Sequence, residues 1–92
     1  MTPALGPIGK RMVEKLQAAL APSLLAVIDE SHHHAGHSGS RPDGESHFRI
    51  RITSAALNGL SRVNQHRKVN EVLAEELRNR VHALAIEVVR SA

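Results

Sequence analysis

The segment HFRIRITS, residues 47 to 54, constrains the fold most, because Phe48, Ile50 and Ile52 alternate with His47, Arg49, Arg51 and Thr53. Successive strand side chains point to opposite faces, so the pattern demands a sheet with one face covered by a core and the other left polar. The 92 residues allow one modest core, and the chain is expected to form one domain over 1–92 with its core between about 7 and 90. Phe48 is the only Phe, Trp or Tyr and there is no cysteine, so that core must come from Leu, Ile, Val and Ala. The missing cysteines also exclude disulfides and thiolate chemistry supplied by the chain itself.

The covering layer is legible on either side of this strand. In PIGKRMVEKLQAALAP, residues 7 to 22, Ile8, Met12, Val13, Leu16 and Leu20 recur at helical spacing. Pro7 suits a first helical position and Pro22 ends the pattern, which predicts the first helix. SLLAVIDE, residues 23 to 30, is short, apolar and partly branched, and predicts a first strand. After an NG turn at Asn58 and Gly59, residues 61 to 80 predict a second helix with His66, Val69, Leu73 and Leu77 on one stripe and Ser61 as its cap. VHALAIEVVR, residues 81 to 90, then places His82, Leu84, Ile86 and Val88 on one face of a third strand. The fold class is therefore α+β, in the order alpha-beta-beta-alpha-beta, with a three-stranded mixed sheet and both helices on one of its faces.

Between the first two strands, SHHHAGHSGSRPDGES, residues 31 to 46, has no hydrophobic period and holds His32, His33, His34 and His37. The stretch is long for a loop in a compact domain, which favours a functional reading. It is internal and interrupted by Ala35 and Gly36, unlike a purification tag. If the second and third strands pair in parallel across the second helix, they start at the same end of the sheet. His82, placed at the first position of the third strand, then comes to the mouth of the histidine loop. A loop imidazole and a strand-anchored imidazole make half a site for zinc, copper or iron. No CxxC or HExxH pattern is present, so an autonomous zinc finger or metalloprotease is not expected and something else must complete the coordination. Taken without further context, histidines tolerated in a surface loop and a histidine at a strand end account for the pattern equally well.

The run DESHHHAGH, then GESHFRIRITS, then NGLSRVNQHRKVNEVLAEELRNRVHALAI resembles the BolA family across nearly the whole chain. That resemblance implies a fold like the type II KH domain, in the order already read from the residues. It also implies partnership with a monothiol glutaredoxin and a shared two-iron, two-sulfur cluster. In that family the glutaredoxin gives one cysteine, bound glutathione another, and the BolA protein histidine. By motif, the histidine of VHALAI falls on His82, and the loop ligand falls on His34, with His37 next and His32 or His33 able to exchange with it. The implied role is an adaptor or regulator in iron-sulfur trafficking or in iron and stress regulation. Imidazole in place of thiolate removes negative charge from such a cluster, raises its potential and ties its binding to protonation near neutral pH.

The family is also described as transcription regulators, so a DNA-binding reading stands beside the first. Arg49 and Arg51 lie opposite the apolar side of the second strand, and Arg62, Arg67, Lys68, Arg78 and Arg80 stud the second helix. Glu71, Glu75 and Glu76 interrupt that basic run, and no aromatic face is available for stacking bases outside Phe48. GHSG at 36 to 39 matches GxxG by chance, since KH proteins place that loop between two helices. A nucleophile elbow, a phosphate loop and paired catalytic carboxylates are all missing, so an enzyme is not expected, nor a small-molecule substrate. His66, on the apolar stripe, is expected to be a hydrogen-bonded structural histidine rather than a ligand; His47 at the start of the second strand is ambiguous, and neither is a first-choice ligand. The apolar run at LLAVI is too short to span a membrane, no signal peptide opens the chain, and a cytoplasmic protein is expected.

Overall fold

A computed structural model describes residues 5–31 and 45–90 of the chain. Within them the elements are α1 (Pro7–Leu20), β1 (Leu24–Asp29), β2 (His47–Thr53), α2 (Arg62–Val72), α3 (Ala74–Asn79) and β3 (Ala83–Val88). The sheet order is β1-β2-β3, with β1 antiparallel and β3 parallel to the central strand. The expected mixed sheet is thus present, and the alternation of β2 has its expected cause. Phe48, Ile50 and Ile52 are buried while Arg49 and Arg51 are exposed.

The register carries that division across the sheet. Val27 pairs with Ile50 and Leu25 with Ile52 on one side, and Leu84, Ile86 and Val88 stand beside Phe48, Ile50 and Ile52 on the other. This face packs on Met12, Leu16 and Leu20 of α1, Val69 of α2, and Leu57, Leu73 and Val81. Burying each of these aliphatic side chains contributes roughly 1.5–3 kcal/mol. The opposite face carries Arg49, Arg51, Ala85 and Glu87 and has no helix packed on it among the described residues.

Three features depart from expectation and a fourth lay outside it. The second helix is two segments, because Leu73 leaves helical geometry at φ −104°, ψ 18°. Backbone bonds from Leu73 N to Val69 O and from Leu77 N to Leu73 O carry the chain through this bend, and Leu73 stays fully buried. Glu76, expected on a solvated basic face, is 3% exposed instead. The Lys15 ammonium of α1 stands 3.0 Å from its Oε1 in hydrogen-bonding geometry and 2.7 Å from its Oε2, where the attraction is Coulombic. The third strand starts at Ala83 rather than His82, because the amides of His82 and Ala83 both donate to Ser46 O, at 2.7 and 3.2 Å, before the ladder settles. Finally, α1 has no side-chain cap of its own, and its N-terminus is capped from across the histidine loop.

Two backbone positions carry left-handed geometry on non-glycine residues, Ala21 at φ 43° and Glu45 at φ 57°. Ala21 ends α1, its amide donating to Gln17 O at 3.1 Å, and Pro22 prevents continuation. The expected NG turn is there, with Gly59 at φ 84°, a conformation that glycine adopts without strain. Ser61 caps α2 as expected, its hydroxyl accepting from Asn64 N at 3.2 Å.

Candidate functional site

The C-terminus of β1 and the N-termini of β2, β3 and α1 meet at one end of the sheet, where the histidine loop leaves and returns. His34 and His37, with His32 and His33, lie outside the described residues, so these candidate ligands have no place in the geometry that follows. The points from which the loop departs are well fixed. Asp29 Oδ1 accepts from Ser31 N at 2.8 Å and from Ser31 Oγ, and Asp29 Oδ2 accepts from Glu45 N at 3.2 Å. Ser31 Oγ in turn accepts from Ser46 N at 2.9 Å and His47 N at 3.2 Å. Glu30 N donates to His47 O at 2.8 Å. Two serines and a carboxylate thus replace the sheet ladder where the strands give way to the loop.

Glu45 completes this closure. Its carboxylate Oε1 accepts from Ile8 N at 2.9 Å and Gly9 N at 3.2 Å, so it satisfies orphan amides of α1 and places negative charge at the positive end of that helix. The side chain is 8% exposed, and a Cβ on Gly6 would run into its carboxylate. The left-handed backbone of Glu45 is therefore held by contacts at both ends, to Asp29 through its amide and to α1 through its side chain.

His82 sits at this mouth, exposed, with its amide on Ser46 O. The parallel pairing of β2 with β3 brings it there, as the topology required, although it precedes the strand by one residue. The structure adds a neighbour that the sequence left ambiguous. His47, 7% exposed, has its ring centre 5.3 Å from that of His82, with the ring planes tilted by 52°. Ser46 Oγ lies 2.9 Å from His47 Nδ1. Position 47 pairs with Ala83 in the parallel register, and this puts His47 beside the residue following His82. The signal that could have found the closure is the Glu-Ser pair standing at both ends of the aperiodic stretch, Glu30-Ser31 and Glu45-Ser46.

The basic residues divide differently. Arg49 Nε is 3.1 Å from Glu30 Oε2, and Arg51 Nε is 3.8 Å from Glu87 Oε1, so both open-face arginines have carboxylate partners. Arg62, Arg67 and Lys68 are exposed on α2, with Arg67 Nη1 3.4 Å from Asn64 Oδ1. Arg49 and Arg62 come together, lining one cleft with His66 and Glu87, while Arg67 lines a second groove along α2 with Arg62, Val63 and His66. His66 is half-buried. No helix of the described residues is long and apolar enough to cross a membrane.

Comparison with known proteins bears on this arrangement. A family model described as BolA-like protein matches residues 16–91. The chain is 51% identical over 75 residues to a Sinorhizobium protein known only as an uncharacterized protein in the cobS 5' region, covering 80% of this chain and 81% of that one. It is 44% identical over 79 residues to the DNA-binding transcriptional regulator BolA of Escherichia coli K12, covering 86% and 71% of the two chains. Among solved structures, the BolA domain of SufE1 from Arabidopsis thaliana superposes with a TM-score of 0.86 at 45% identity, covering 95% of each chain. Other relatives are longer, and this chain spans 24%, 49% or 58% of their length.

Proposed function

The chain belongs to the BolA family, and on that premise we propose that it is a non-enzymatic adaptor that pairs with a monothiol glutaredoxin and co-ligates a two-iron, two-sulfur cluster. The observation that carries the proposal is His82, an exposed imidazole whose backbone is tied to Ser46 at the mouth of the histidine loop. The donor chemistry fits: the chain offers imidazole and no thiolate, so cysteine ligands fall to the partner and its glutathione. His82 and a loop histidine, His34 by motif with His37 as second choice, would hold the cluster from this side. Such a cluster supplies one-electron chemistry at a potential raised by its neutral ligands.

What this chain does is presentation. The Asp29–Ser31–Ser46 closure fixes where the loop starts and ends, and the Ser46 carbonyl fixes the His82 backbone. A ligand on an anchored backbone loses less entropy when it coordinates than one on a free tail, while the exposed ring remains available to a partner's site. The role that follows is cluster trafficking or iron-linked and stress-linked regulation, in whichever compartment houses the glutaredoxin.

The test is anaerobic reconstitution with iron, sulfide, glutathione and a monothiol glutaredoxin, read by visible absorption and circular dichroism. A mixed-complex spectrum distinct from the glutaredoxin homodimer, lost in His82→Ala, is the expected result. A spectrum that never departs from glutaredoxin alone refutes the proposal.

A second reading has its own support, the similarity to the E. coli DNA-binding transcriptional regulator together with the Arg49–Arg62 cleft. DNA binding through Arg49, Arg51, Arg62, Arg67 and Lys68 should weaken steeply with salt, and losing one phosphate contact should lower the salt slope by about 1. It should be indifferent to His82→Ala. The glutamates paired with Arg49 and Arg51 work against this reading, because each must release its arginine before a phosphate can take it.

A further inference from the structure

The outer edge of β3 carries hydrogen-bonding groups that neither the adaptor nor the DNA reading uses. We propose that this edge takes up an extended acidic peptide from a partner protein as a fourth strand of the sheet. Ala83 N donates to Ser46 O at 3.2 Å and Val89 N to Ile52 O at 2.8 Å, so the odd-numbered residues of β3 turn their backbone groups to β2. In a parallel ladder the alternate residues face the other way, and Leu84, Ile86 and Val88 therefore direct their N–H and C=O groups outward. The strand ends the sheet order, and among the described residues no strand pairs with that side. Sheet edges are ordinarily guarded by proline, lysine or a bulge. The stretch ALAIEV contains neither proline nor lysine, and its register with β2 runs unbroken. Its one charge, Glu87, lies on the open face, where Arg51 Nε is 3.8 Å away.

The ground beside the edge selects the occupant. Phe48, Ile50 and Ile52 of β2 are fully buried, whereas Leu84, Ile86 and Val88 next to them are half-buried, so the apolar face continues to the edge and is incompletely covered there. Ile86, Glu87 and Val88 line one cleft with Arg62, Gln65 and His66 of α2. Consecutive strand side chains point to opposite faces, so a cleft that touches all three β3 residues runs along the edge itself. Arg49 also borders it but is held by Glu30 at 3.1 Å, and Gln65 Nε2 donates to Leu57 O at 3.0 Å. The side chains of Arg62 and His66 have no ion-pair or hydrogen-bond partner among the described residues. An added strand sets every second side chain toward α2, where carboxylates would meet that guanidinium and imidazole while backbone bonds supply the register-setting contacts. A second copy of β3 is a poorer occupant, because a continued sheet would bring the basic start of its α2 against the same residues of the first.

The experiment titrates the full chain, labelled with 15N, with a short end-blocked peptide alternating threonine and glutamate, and follows amide shifts and amide hydrogen exchange. Peptide at about ten times its Kd should slow exchange at Leu84, Ile86 and Val88 by about tenfold, while Ala83, Ala85 and Glu87, already bonded to β2, change little. Arg62→Gln, at an exposed position, should weaken binding about two- to fivefold, the range of an exposed ion pair, and glutamine in place of the peptide's glutamates should do the same. Proline at the centre of the peptide should abolish binding, because it removes a ladder donor. Five results would each overturn the proposal: no added protection at Leu84, Ile86 and Val88; equal binding of a threonine-lysine peptide; those amides already protected in the free monomer; their protection by self-association instead; or a DNA duplex protecting them where the acidic peptide does not. No glutaredoxin, iron or sulfide is present, so failure here leaves the cluster reconstitution to be decided separately.

Discussion

Replacing Ser31 by alanine removes one oxygen and disturbs three hydrogen bonds at the point where the sheet gives way to the loop. Ser31 Oγ accepts from the amides of Ser46 and His47 and donates to Asp29, and the residue is 5% exposed. Asp29 keeps its bond from Ser31 N, and its carboxylate can be rehydrated, so its loss is small. The two amides lose the acceptor they share, in residues that are 0% and 7% exposed. A buried donor left without a partner costs about 1–3 kcal/mol, and the two share one acceptor at unequal distances, so a loss of about 2–4 kcal/mol is expected. For a domain of this size each kcal/mol shifts Tm by about 4–8 °C, which predicts a fall of roughly 10–25 °C. Urea unfolding followed by far-UV circular dichroism measures the change, and an unchanged m value would place it in stability rather than compactness. Ser31→Thr, which keeps the hydroxyl, should recover part of the loss. A Ser31→Ala loss below about 1 kcal/mol would show that water or loop residues satisfy those amides, and the closure would then not be what anchors the loop.

Glu45→Ala should destabilise by about 1–2 kcal/mol through loss of the α1 cap, whereas Glu45→Gln, which retains the accepting oxygen, should lose only a few tenths; equal losses in denaturant titrations would show that charge rather than acceptance matters. Lys15→Ala leaves the Glu76 carboxylate, 3% exposed, without its cation, and thermal unfolding should show a loss of about 2–3 kcal/mol, reduced from the fully buried case because Lys15 is partly solvated. The double change Lys15→Met with Glu76→Leu should recover most of it. Ala21→Gly should stabilise by about 0.5–1 kcal/mol, since φ 43° is strained for alanine and open to glycine; a decrease would mean that the alanine methyl packs favourably there.

Periodic features were the ones legible in the sequence. The period-two run of β2 identified its covered face residue by residue, and the helical spacing of Met12, Leu16 and Leu20 identified the stripe of α1 that meets it. The meeting of His82 with the loop mouth also followed from sequence, because a helix between two strands implies parallel pairing and parallel pairing sets which strand ends coincide. What stayed hidden was aperiodic and long-range. Glu45 meets Ile8 across 37 positions, Ser31 meets Ser46 across 15, and Lys15 meets Glu76 across 61, and no local pattern distinguishes these side chains from solvated ones. The bend at Leu73 was invisible for a related reason, since leucine is a good helix former and only tertiary packing reveals the departure.

His47 shows why the sequence left a neighbour of the site ambiguous. By alternation it belongs to the polar face with Arg49 and Arg51, yet it is 7% exposed while both arginines are exposed. Burial of a polar-face residue at the first position of a strand needs something beyond the strand's end to cover it. Here the chain bends at His82 before β3 begins, and the two rings approach. Had β3 started one residue earlier, His82 would have shared a side with Leu84 and Ile86, turned toward the core and away from His47. The bifurcated bonds from His82 and Ala83 to the single Ser46 carbonyl delay the ladder by that one residue and so set which way the His82 ring faces. The exposure of the His82 imidazole and its approach to His47 therefore share one cause, a strand that begins at Ala83.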